Sequence, residues 1–189
     1  PVGAGGFSLS NFTVAATLTV PGTNLNNYPV YQTSTSTLYY ANAAYNYSEM
    51  AWAAATAHLR SGSLSQNTVI YGHNMADGSM FAGLVHYKQQ DFFAVHPVFN
   101  FDTLTEQAQW QVAAVIETTL GADELAYYTF FDAATKGQWQ QRVDAILALA
   151  LYDTGVTPQY GDELLTLSTC GSTAIGTKTR FAVLAVRVT

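Results

Sequence analysis

A single thiol, Cys170, has the widest chemical reach of any side chain in this 189-residue sequence. One Cys cannot close an internal disulfide or build a thiolate metal site alone, so it is either a small buried hydrophobe or a nucleophile. Its neighbours bear on the choice. The apolar runs Thr68-Val69-Ile70-Tyr71 and Leu164-Leu165-Thr166-Leu167 each give way to small, turn-forming residues, and His73 and Cys170 stand at those two edges. Strand ends are where a rigid scaffold hands side chains to a cleft. A nucleophilic Cys must become thiolate and needs a proton donor for the leaving amine, and imidazole suits both tasks near neutral pH. Arg180 opens the next apolar segment, after a loop containing Gly171, Ser172, Ala174, Gly176 and Thr177 that lets the two strands pair as neighbours. Beside the thiol, its guanidinium would hold the oxyanion of a tetrahedral intermediate without losing its proton. The other histidines read differently: His58 and His86 fall in helical stretches and His96 precedes Pro97, as surface or capping residues do. Asn74 and Asp77 also suit a turn that starts the next helix, and Trp52, Trp110 and Trp139 read as core.

The elements that must position these residues are mostly strands. Phe12 to Val20 is rich in β-branched residues and stops at Pro21-Gly22. Tyr28 to Gln32, Thr37 to Ala41 and Val69 to Tyr71 read as further strands, with Thr33 to Thr37 as a loop. Val98 to Asp102 and Gln109 to Thr118 come next, the second because Trp110, Val112, Ala114 and Ile116 alternate with mostly polar partners. Glu163 to Thr169 and Arg180 to Val188 close the chain. Helices are expected at Ser48 to Arg60, which is Ala-rich after a Ser cap, and at Asp77 to Lys88, with a short turn at Asp91 to Val95. The clearest runs from about Gly137 to Tyr152, where Trp139, Val143, Ile146, Leu147, Ala150 and Leu151 trace one face. A β-rich barrel with peripheral helices fits this order.

Composition narrows the function. Seven basic and thirteen acidic side chains give a net charge of −6, and no Lys/Arg run offers the clustered cations that nucleic acid needs. At 11% the charged content is low, but 49% apolar and 13% aromatic residues are those of a chain that folds around a core. The longest apolar run, Ala145 to Tyr152, is far short of a membrane span. Pro1 to Gly6 carries neither an initiator Met nor a signal peptide, so residues 1–11 read as a trimmed start or N-terminal extension and 12–189 as the catalytic domain.

The block Tyr71-Gly72-His73-Asn74-Met75-Ala76-Asp77-Gly78-Ser79-Met80-Phe81, with Leu167-Ser168-Thr169-Cys170 and Arg180, resembles the class B sortases. Weaker similarity runs from Tyr28 to the C-terminal strand. The resemblance implies a mainly β fold, a sortase-like closed β-barrel of about eight strands with peripheral helices, one of them in the loop before the Cys strand. It makes Cys170 the nucleophile, His73 the general acid/base and Arg180 the oxyanion and substrate-orienting residue, with Tyr71, Asn74, Ser168 and Thr169 as substrate-binding residues. The implied activity is a cysteine transpeptidase, without metal or cofactor. It would cleave an Asn-Pro-x-Thr-like sorting signal after Thr and pass the surface protein to an amine of a peptidoglycan precursor or a pilin Lys. The implied place is the extracellular face of a Gram-positive-type cell membrane, with an N-terminal anchor upstream. The sequence departs from the family at Gly171 and Ser172, where members often carry an acidic residue. Two other readings stay open on the residues alone: a clan CD-like cysteine protease, against which Arg180 and the lack of a His-Gly pair count, and a non-catalytic β-barrel adhesin or pilus module with Cys170 as core.

Overall fold

The computed structural model describes residues 12–33, 39–40, 66–119, 127–174 and 176–188. The expected helix at Ser48 to Arg60 and the loop at 34–37 lie outside them. Among the described residues eight strands succeed one another: β1 (Phe12–Thr19), β2 (Tyr28–Thr33), β3 (Tyr39–Tyr40), β4 (Asn67–Tyr71), β5 (Val98–Thr103), β6 (Gln109–Thr119), β7 (Leu164–Cys170) and β8 (Thr179–Arg187). Most stand within two residues of their expected bounds.

Strand neighbours take the order β1-β2-β3-β4-β7-β8-β6-β5, with β5 returning to β1. The expected closed barrel nevertheless needs correcting. Seven strands form one rolled, mixed sheet in the order β2-β1-β5-β6-β8-β7-β4, and no ladder joins its margins, β2 and β4, directly among the described residues. Among the described residues β3 lies between them, pairing Tyr40 and Tyr39 with Tyr31 and Gln32 of β2 and Tyr40 with Tyr71 of β4. Of the strand expected over Thr37 to Ala41, Tyr39 and Tyr40 are among the described residues.

Each face of this sheet buries its own core, because side chains alternate along a strand. Ile70, Leu165, Leu167, Val112, Val115, Phe181 and Val183 point inward, with Phe81, Leu84 and Tyr87 closing the interior. Ala114, Ile116, Ala182, Leu184 and Leu164 face outward onto α2 (Lys136–Leu147), which is capped by Thr135 accepting from the Gln138 amide and buries Trp139, Val143 and Ile146 at helical spacing.

Two expected helices change form. The segment from Asp77 begins as a turn: Asp77 Oδ1 accepts from the Ser79 amide, and Gly78 and Met80 take positive φ. From there the chain winds into a 3₁₀ helix at Phe81–Lys88, whose buried Phe81, Leu84 and Tyr87 recur every three residues. A short helix, α1 (Gln90–Val95), comes next. The helix expected to reach Tyr152 ends at Leu147 because β6 runs on past the part paired with β5, leaving backbone groups to satisfy. The Leu151 amide donates to Val115 O and Thr154 Oγ1 to Ala113 O, which covers that edge.

Two consequences can be measured. A Cβ on Gly72 would lie 2.5 Å from the Phe81 ring, so Gly72→Ala should cost about 1–3 kcal/mol by overpacking, read by chemical denaturation. Burial pushes Tyr152, whose hydroxyl donates to Tyr87 O at 2.6 Å, from the ordinary 10.0 up to about 12. Its neutral form is thus favoured by folding. The associated stability is complete below pH 10.0 and is lost as pH rises towards about 12. Denaturation midpoints should therefore fall over that interval, and Tyr152→Phe should flatten the fall.

Candidate active site

β4 and β7 run parallel in register from Asn67 opposite Leu164 to Tyr71 opposite Ser168. Two residues after the final pair come His73, past the end of β4, and Cys170, the last residue of β7. The Gly72 amide carries the ladder one step on by donating to Ser168 O at 3.0 Å, and the Phe81 amide donates to His73 O at 2.9 Å. Gly72 is needed here for space, because the Phe81 ring packs where a side chain would stand. On its other side β7 pairs antiparallel with β8, which sets Cys170 directly opposite Arg180. Alternation then places Cys170 and Arg180 on the outward face of β7 and β8, with His73 just past the end of the neighbouring β4.

Cys170 is a free thiol, partly exposed at the strand end. Arg180 is only 8% exposed, and its Nη1 donates to the carbonyls of Thr177 at 2.8 Å and Thr179 at 2.9 Å. Charge-assisted bonds to backbone fix the guanidinium beside the thiol more firmly than a flexible surface pair would.

The residues expected to touch substrate sit deeper. Asn74 does not begin a helix; its Nδ2 donates to Cys170 O at 3.0 Å, tying the His segment to the Cys backbone. Ser168 and Thr169 are 1% and 3% exposed, so neither offers an open hydroxyl at the surface. Ser168 Oγ lies 2.7 Å from Tyr127 Oη, while Thr169 lies opposite Phe181 on the inner face. Tyr71 is buried, its hydroxyl donating to Tyr128 O at 3.4 Å. His86 and His96 flank the Phe92 ring, and His58 lies outside the described residues.

Tyr127 carries no signal in the sequence that marks it for the site. It packs on the outward face in the segment before α2, and burial pushes its phenol well above the usual range, partly offset by the Ser168 contact and the nearby positive Arg180. It therefore stays protonated beside the site. Lys88 and Glu117 are equally unmarked: they form a 2.6 Å ion pair behind the residue that follows the thiol. No motif points to these positions, since each acts through a contact distant in sequence. Among the described residues no three His, Cys, Asp or Glu side chains gather as a metal site, and no helix is long and apolar enough to cross a membrane.

Comparison with known proteins identifies the family. The sortase domain family matches residues 18–188. Sortase B of Listeria monocytogenes is 35% identical over 107 residues, 57% of this chain and 42% of that protein; sortase B of Staphylococcus aureus is 30% identical over 122 residues, 65% of this chain and 48% of that one. The aligned stretches thus span less than half of these relatives. The structure of a Staphylococcus aureus sortase B–substrate complex superposes with a TM-score of 0.73 at 26% identity, covering 93% of this chain and 79% of that one. A family match from β1 to the end of β8, on a backbone that superposes with a solved sortase B, makes this chain a member of the sortase family, with sortases B among its relatives.

Proposed function

We propose that the chain is a class B-type cysteine transpeptidase that cleaves an Asn-Pro-x-Thr-like sorting signal after Thr and transfers the acyl part to an amine. The observation that carries this reading is Cys170 opposite Arg180 on β7 and β8, with His73 just past the end of β4, the parallel neighbour of β7. These residues would supply nucleophile, fixed cation and base.

In this reading His73 takes the thiol proton and the Cys170 thiolate attacks the Thr carbonyl. The tetrahedral oxyanion forms on the side of Arg180, whose charge is permanent and whose orientation is held by Thr177 and Thr179. His73 returns the proton to the departing amine, leaving a thioester. An incoming amine then attacks the thioester carbon, loses a proton to His73 and expels the thiolate, which restores the enzyme. Tyr71, Asn74, Ser168 and Thr169 serve this site from beneath: Asn74 by holding Cys170 O, and Ser168 by its contact with Tyr127. The groove for the extended peptide lies along β7, β8 and the Tyr127-bearing segment before Cys170. The acceptor is a peptidoglycan precursor or a pilin Lys, met at the extracellular face of the cell membrane.

The test is a peptide-library screen with products identified by mass spectrometry, with and without added amine. Transpeptidation predicts an amine-dependent product; hydrolysis alone at any amine concentration would indicate a protease. Cys170→Ala and His73→Ala should abolish turnover. Arg180→Lys keeps the charge but loses the planar fork, and its rate should fall on the order of 10²–10³-fold with melting near wild type. Arg187, at the far end of β8, pairs with Glu106 and Glu163; Arg187→Lys should change little. Near-wild-type rates for Arg180→Lys would remove Arg180 from the mechanism.

A further inference from the structure

The residue after the nucleophile is held from behind the sheet. Register places Thr118, Arg180 and Cys170 on one face of β6, β8 and β7, and Glu117 with Phe181 on the other. On that inner side Lys88, the last residue of the 3₁₀ helix, reaches up with Nζ 2.6 Å from Glu117 Oε1, 3.4 Å from Gly171 O and 5.5 Å from the centroid of the Phe181 ring. Both ionic side chains are about two-thirds buried, at 30% and 32% exposure. Water screens the pair less than it would a surface one.

Gly171 is small for this contact. It is not among the glycines of positive φ, so its backbone does not require glycine. Space does: a Cβ would lie 2.6 Å from Thr179 Cγ2 and 2.8 Å from Glu117 Oε1. The polar groups on either side of the Cys170–Gly171 peptide are all engaged. Cys170 O accepts from Asn74, the Gly171 amide donates to Thr179 O at 3.0 Å, and Gly171 O accepts from Lys88.

We propose that Lys88 and Glu117 form a clasp that positions Cys170 through Gly171. Glu117 holds the ammonium in place, and the ammonium holds the carbonyl of the residue after the nucleophile. They are positioning residues, since neither shares a face with the thiol. A loosened Gly171 would let the end of β7 turn and carry the sulfur out of line with His73 and Arg180. The proposal rests on the reading of Cys170 as the nucleophile.

The test tracks Cys170 itself, through its alkylation by iodoacetamide, alongside peptide turnover. Lys88→Met and Glu117→Gln should each slow alkylation and lower kcat about tenfold or more, with KM within about twofold. Lys88→Arg, which keeps the charge and a donor, should retain most of both. The double variant Lys88→Met/Glu117→Gln should be no worse than Lys88→Met alone, because the pair acts as one unit. Melting temperatures separate loss of position from loss of fold. Alkylation and kcat near wild type in a folded Lys88→Met protein would overturn the clasp, as would multiplying losses in the double variant. If wild type turns over no peptide while the alkylation contrasts hold, the transpeptidase reading fails and the clasp stands.

Discussion

The parallel pairing of β4 with β7 is the constraint on which the site depends. His73 and Cys170 are far apart in sequence, and nothing local brings them together. Five residue pairs in register, ending at Tyr71 and Ser168, do so by running both strands off the same end of the sheet. The antiparallel β7–β8 ladder then adds Arg180 opposite the thiol. A slip of one residue in the β7–β8 ladder would turn Cys170 or Arg180 to the opposite face, into the inner core.

That sensitivity explains why the sheet is packed on both sides. Inward residues of β7 and β8 meet Phe81, Leu84 and Tyr87, while outward residues meet α2 and Tyr127. With apolar side chains fixed above and below, register slippage would strand buried groups on the wrong face. The cost of doing so, roughly 1.5–3 kcal/mol for each large apolar side chain exposed, is substantial against the net stability of a domain.

Much of this was legible in the sequence. The apolar runs ending at Tyr71 and Leu167 marked the strand ends, and the Gly/Ser-rich loop from Gly171 announced the hairpin that pairs Cys170 with Arg180. Residue type gave the chemistry. What stayed hidden was set by contacts between distant segments. The helix read over Asp77 to Lys88 became a turn and a 3₁₀ helix because the Asp77 turn and the Asn24 side chain, donating to Met80 O, hold its start. The end of α2 was decided by the unpaired edge of β6, which no local propensity records. Tyr127, Lys88 and Glu117 stand alone in sequence and acquire meaning only through Ser168 and Gly171. Closure failed as an expectation for a similar reason: strand count does not tell whether the margins of a sheet pair with each other.

The thin seam at β3 has a consequence for how protection against exchange is distributed. Among the described residues β4 is held on one side by five pairs to β7 and on the other by the pair Tyr40 to Tyr71. β8 is held along its length by β6 and β7 together. Cys170 and Arg180 thus belong to the most cooperative part of the sheet, whereas His73 lies just beyond the strand at its margin. A sub-global opening that starts at β3 would separate His73 from Cys170 while leaving Cys170 and Arg180 together. Among the described residues, a boundary of lower protection therefore runs between His73 and Cys170.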